Sequence, residues 1–158
     1  MKAASIKEIR TDLKHRSNDE LMELVLRLAR FKKENKELLT YLLFESENEE
    51  TYITSVKKEI DQGFSSINTK SFYYIKKSVR KVLRETKKYI RYSGKKETEV
   101  ELLLYFCSRL KNFKPSISKN VALVNLYQRQ IDFIEKKIAS LHEDLQYDFR
   151  SELEQLEF

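Results

Sequence analysis

Only two of the 158 residues are glycine and one is proline. Hairpins, tight turns and phosphate-cradling loops draw on positive φ angles and preset turn geometry, so folds built on them need more of both residues. Their scarcity points to helices. A single cysteine, Cys107, excludes an intramolecular disulfide and any cysteine-based zinc site, which needs several thiolates at short spacing. A reducing compartment, and hence the cytoplasm, is the expected location. The opening residues MKAASIKEIRTDLKHR lack the apolar run of a signal peptide, and no window approaches the uninterrupted length of a membrane span.

Catalytic signatures are missing too. The chain holds no glycine-rich nucleotide loop, no G-x-S-x-G, no H-E-x-x-H and none of the Glu-x-x-His pairs of di-iron bundles. His15 and His142 stand in polar surroundings near predicted helix ends. Asp12 and His15, one turn apart, supply two ligands where a metal needs more. Cys107, in the most apolar stretch and without a neighbouring histidine, reads as a packing residue. Adjacent carboxylates such as Glu49 and Glu50, or Glu152 and Glu154, read as solvated helix faces. Neither an enzymatic activity nor a cofactor is expected.

What the chain does hold is charge, at 35% of residues, and its distribution is uneven. Residues 70–96 contain eleven Lys or Arg and one Glu, a local +10, so the rest of the chain is net negative although the total is +6. Residues 142–158 carry six acids and one Arg. Within the basic region, FYYIKKSVRKVLRETKKYIRY (72–92) sorts at 100° per residue into two faces. Phe72, Ile75, Val79, Val82, Leu83, Tyr89 and Ile90 form an apolar arc. Lys76, Lys77, Arg80, Lys81, Arg84, Lys87, Lys88 and Arg91 form the opposite one, with Tyr73 beside them and Tyr74 and Tyr92 at the flanks. Such a face suits an acidic protein, the phosphates of DNA or RNA, or the chain's own acidic C-terminal segment.

The remaining helices follow from caps and periodicity. Ser5 with Glu8, and Ser17 with Glu20, are capping boxes that open helices through about Leu13 and Phe31. Ile6, Ile9 and Leu13, then Leu21, Leu24, Val25, Leu28 and Phe31, are their expected inward faces. Lys32 to Glu37 is expected to contain a turn. Leu38 to Phe44 is apolar nearly all round, which predicts an element covered on several sides. Asn48 opens the next helix, with Tyr52, Ile53, Val56 and Ile60 inward and Gly63 as its left-handed C-cap. Phe64 to Thr69 reads as a loop. Gly94 caps the basic helix, and Glu97 to Leu110 forms a second central helix.

Glu37–Leu42 and Glu101–Phe106 share the form E-L-L-x-Y-apolar. A duplicated helical hairpin, about 17–64 and 71–114, and a coincidence between two leucine-rich helices both account for it. At the level of architecture such hairpins resemble α-solenoid units of the HEAT kind, a resemblance that implies no activity.

Pro115 marks a break. Beyond it, Tyr127, Ile131, Ile134, Ile138 and Leu141 advance in steps of three and four. They form a heptad seam that either packs on the core or joins a second copy of the chain. Past Leu145 the spacing shifts to Phe149, Leu153 and Leu156, which reads as a stutter or as a break into a further short helix, and Leu153 and Leu156 are expected to fray.

The expected fold is therefore all-α: one domain of about seven helices, a bundle or short solenoid over 1–114 with a long amphipathic helix over 115–158. The expected function is a non-enzymatic interaction module, an adaptor or self-associating scaffold, with nucleic-acid binding through 72–92 as the alternative.

Overall fold

Serine and asparagine side chains, at Ser5, Ser17, Asn48 and Asn120, set four of the α-helix starts. Ser5 accepts from the Glu8 amide while Glu8 reaches back to the Ser5 amide at 2.8 Å, and Ser17 and Glu20 do the same. The Asn48 side chain accepts from the Thr51 amide at 3.2 Å. The computed structural model describes residues 1–157, and among these there are eight α-helices and no strand. Packing divides the chain into two units, Met1–Phe44 and Glu45 onward.

The first unit holds α1 (Ile6–Leu13), α2 (Asn18–Phe31) and α3 (Lys33–Thr40), followed by a π-helical turn at Tyr41–Glu45. The expected turn is a single extended residue, Lys32, at φ −141° and ψ 146°. It folds α3 back on α2, and the Asn35 side-chain amide donates to the Leu28 carbonyl at 2.7 Å.

The predicted inward faces of this unit do not face inward. Leu24, Val25, Leu28 and Phe31 are exposed, as are Ile6, Ile9 and Leu13. The Leu38–Phe44 stretch is not a covered core element, since Leu42, Leu43 and Phe44 are 55%, 63% and 77% exposed. Only Ala29 and Tyr41 are buried here. A short pair of packed helices has too little apolar area to enclose a core of its own.

The second unit comprises α4 (Glu49–Ser65), α5 (Phe72–Ser93), α6 (Lys96–Lys111), a 3₁₀ turn (Ile117–Lys119), α7 (Val121–Ile138) and α8 (Glu143–Glu154). Its centre is α6, which packs on α4, α5, α7 and α8. Val100, Leu102, Leu103, Leu104, Phe106, Cys107 and Leu110 are all buried, as its all-round apolar pattern predicts. Around it, Tyr52, Ile53, Val56 and Ile60 of α4 and Ile75, Val79, Val82, Leu83 and Ile90 of α5 complete the core. The E-L-L-x-Y stretch at Glu101 thus lies inside a packed helix, whereas the one at Glu37 ends a mostly exposed one.

Three local expectations are corrected. Gly63 is no C-cap: α4 runs on to Ser65, Phe64 is a core residue rather than a loop residue, and of the two glycines only Gly94 has positive φ, at 67°. Gly63 instead permits close approach, because a Cβ there would sit 2.7 Å from Val82 Cγ2 on α5. Gly63→Val is expected to cost about 1–3 kcal/mol in urea melts, the helix-propensity gain from losing glycine notwithstanding. A variant as stable as the wild type would show that α4 and α5 are not in such close contact.

The C-terminal segment is likewise not one long helix. It stops at Ile138, where Ser140 Oγ donates to the Lys137 carbonyl and the Gln146 side chain to the Leu141 carbonyl, each at 2.7 Å. His142 Nδ1 then accepts from the Asp144 amide to start α8. The reversal lays α8 on α6 and α7, so Leu153 and Leu156 are buried rather than frayed. The tail is tied down as the Tyr127 hydroxyl donates to the Leu156 carbonyl and Lys111 Nζ to the carbonyls of Gln155 and Glu157.

Consequently the heptad seam is not a docking surface. Tyr127, Ile131, Ile134 and Ile138 are buried within the unit, and Leu141 lies half-buried beyond the end of α7. A side chain already covered by its own chain has no area left to offer a second copy.

Candidate functional site

The amphipathic pattern of α5 explains its placement. Its 22 residues, about 33 Å of helix, turn the apolar arc onto α4 and α6. Five of the seven predicted arc residues are fully buried, with Phe72 and Tyr89 half-buried. Thr86 joins them unforeseen. It is buried because its hydroxyl donates to the Val82 carbonyl at 2.8 Å, which removes the cost of enclosing it.

Burying that arc leaves the cations outside. Lys77, Arg80, Lys81, Arg84, Lys87 and Arg91 are exposed, and Lys76 and Lys88 are half-buried. Lys88 pairs with Glu85 at 2.8 Å and lies over the Tyr89 ring at 5.1 Å, so it belongs to the protein's own surface. The other seven make no ion pair among the described residues. Acidic α8 packs on α6 and α7, and among the described residues no ion pair joins it to these cations. At the N-terminal end of the row, Tyr73 and Tyr74 are exposed and meet edge to face, with centroids 5.3 Å apart. Tyr92, half-buried, pairs with Tyr89 instead.

Acids elsewhere in the unit are engaged structurally. Glu49 is not simply solvated. It accepts from Ser93 at 2.6 Å and Thr98 at 2.8 Å and pairs with Lys95 at 3.2 Å, tying the start of α4 to the α5–α6 turn. Only the assembled fold shows this, because its partners lie more than forty residues away in sequence.

One polar pocket of about 270 Å³ opens between α4, α6 and α8, lined by Lys57, Glu101, Tyr105, Ser108, Glu152 and Gln155 among others. Three of its groups are engaged. Lys57 pairs with Glu101 at 2.9 Å, and the Tyr105 hydroxyl donates to both oxygens of Asp61, which also holds Arg109 at 3.1 Å. Loss of hydration, and then the Asp61 contact, pushes the Tyr105 hydroxyl above its ordinary range. Burial likewise pushes the Cys107 thiol up to about 12, so at neutral pH it stays a thiol and packs as an apolar group. Both histidines are exposed, as expected from their polar surroundings. Among the described residues no cluster of His, Cys, Asp and Glu could hold a metal, and no helix is long and apolar enough to cross a membrane.

No protein-family model matches the chain, and no curated protein or solved structure shows significant similarity to it.

Proposed function

We propose that the chain is a non-enzymatic helical interaction module that docks an acidic protein surface through the outer face of α5. The observation that carries this reading is the row of seven cations, Lys76, Lys77, Arg80, Lys81, Arg84, Lys87 and Arg91, without acidic partners among the described residues. Cations concentrated at that density attract anions from a distance and accelerate encounter. They are mounted on a helix whose other face is locked in the core, so the row is held straight and presented at no cost in ordering.

The Tyr73–Tyr74 pair favours a second reading, nucleic acid held by its phosphates with a base stacked at the tyrosine end. One experiment separates the two. Arg80, Arg84, Lys87 and Arg91, all exposed, are replaced together by Gln, which keeps helix propensity nearly constant and should leave stability within about 0.5 kcal/mol. Binding of wild type and variant to a fluorescent poly-glutamate peptide and to single- and double-stranded DNA and RNA is then followed by anisotropy across a salt series. The first reading expects salt-sensitive peptide binding that the quadruple change removes. Preferential binding of single-stranded DNA or RNA, with a log-log salt slope of about −0.7 per phosphate contacted, would establish the second. If no probe binds at low salt, or the variant binds like the wild type, α5 is not a contact surface.

A further inference from the structure

The first unit poses a different question, independent of the basic face. Its helices are strongly specified by their capping boxes, yet almost nothing covers them. Leu24 and Val25 are 42% and 43% exposed, Leu28 62% and Phe31 76%, in one stripe along α2. A 14-residue helix is marginal in water without packing. Beside this stripe an open groove of about 1120 Å³ lies between α1 and α2, and its apolar lining includes Ile9, Leu13 and Leu24.

Charge order identifies the occupant. On the groove side of α2 the charged residues run Glu20, Glu23, Arg27, Arg30, acidic toward the N-terminus and basic toward the C-terminus. Glu23, Arg27 and Arg30 make no ion pair among the described residues, while Glu20 is held by Arg16 at 3.2 Å and by the Ser17 cap. When two identical helices pack antiparallel, a given flank meets the same flank of the other running in reverse. Acids then fall opposite bases at both ends. A parallel pair would set this flank against the opposite flank of the other helix and leave these charges without each other as partners.

We infer that the first unit is a homodimerisation element, in which the α2 stripe pairs antiparallel with the α2 stripe of a second copy about a twofold axis near Val25, with the open edge of each α1–α2 groove turned toward the other copy. The area argument agrees. At about 21 Å, α2 alone is too short for the roughly 800 Å² per partner of a stable interface. The contact therefore needs Ile9 and Leu13 of α1 as well, which line the groove turned toward the other copy. The result is a four-helix arrangement, α1 and α2 from each copy, that covers apolar faces the single chain leaves in water.

The test is sedimentation equilibrium of the full chain across a concentration series, with far-UV circular dichroism to check folding. Wild type is expected to be a dimer. Leu28→Glu, at an exposed position, should yield a monomer with an unchanged thermal melt of the second unit and with any loss of helicity confined to the first. Glu23→Arg and Arg27→Glu should each weaken dimerisation about tenfold by replacing attraction with repulsion at two symmetric places. The double swap, Glu23→Arg with Arg27→Glu, restores opposite charges in reversed order and should recover the wild-type dimer. That recovery separates the antiparallel pairing from general apolar stickiness. A wild type that stays monomeric at the highest concentration, or a dimer indifferent to both Leu28→Glu and the single charge changes, would overturn the inference. Monomeric protein that binds anionic lipid vesicles through Leu28 would also overturn it, and would assign the face to a membrane surface.

Discussion

Ile134→Asp is expected to unfold the second unit rather than release a folded monomer. Ile134 is fully buried on α7, the helix packed on both α6 and α8. Removing its side chain forfeits about 1.5–3 kcal/mol of apolar burial. An unpaired carboxylate enclosed there adds several kcal/mol, of the same order as orphaning one partner of a buried ion pair. Together these approach the whole stability of a typical domain, about 5–15 kcal/mol. Far-UV circular dichroism should show loss of most helicity from the second unit, and light scattering should show expanded or aggregated chains. The outcome that would sink this account is a helical Ile134→Asp protein with a native melt and a smaller assembly, since that would put Ile134 between chains.

Phe106→Ala should be nearly as damaging, at about 3–5 kcal/mol by the range for large aromatic truncations in cores. Phe106 is fully buried on the central helix, with its ring centroid 5.6 Å from that of Phe64 at the end of α4. The truncated site has little freedom to collapse, because α6 is held on several sides by other helices. Leu42→Ala offers the contrast. Leu42 occupies the position matching Phe106 in the other E-L-L-x-Y stretch, but it is 55% exposed, so its loss should cost no more than about 0.5 kcal/mol. Urea midpoints at constant m-value measure both. Equal losses at the two positions would mean that the first unit carries core weight that its exposure denies.

Much of the candidate site is legible in the sequence. A cationic arc and an apolar arc on one 22-residue helix admit one stable placement, apolar face in and cations out, and α5 adopts it. Lys88 is the exception within the row, for its partner Glu85 sits one turn back and its stem is drawn toward Tyr89. Thr86 and Glu49 were out of reach of pattern reading. A hydroxyl can satisfy itself on the preceding turn, and a carboxylate can find partners more than forty residues away, and neither event leaves a periodic trace.

By itself, then, the sequence determined the local matters: an all-helical chain, the caps at Ser5, Ser17, Asn48 and Gly94, and the faces of α4 and α5. These depend on contacts within a few residues, which side-chain type and spacing decide. Only the tertiary structure decided which apolar stripes are covered. Leu38–Phe44 and α6 read alike in sequence, and one lies largely in water while the other lies at the centre of a unit. Similarly the α7 stripe is enclosed, because the chain reverses after Ile138 and brings α8 back over it, whereas the α2 stripe stays open. Periodicity records that a face is apolar. What covers it depends on how many other faces the rest of the chain brings within reach, and that is a property of the packing rather than of any stretch of residues.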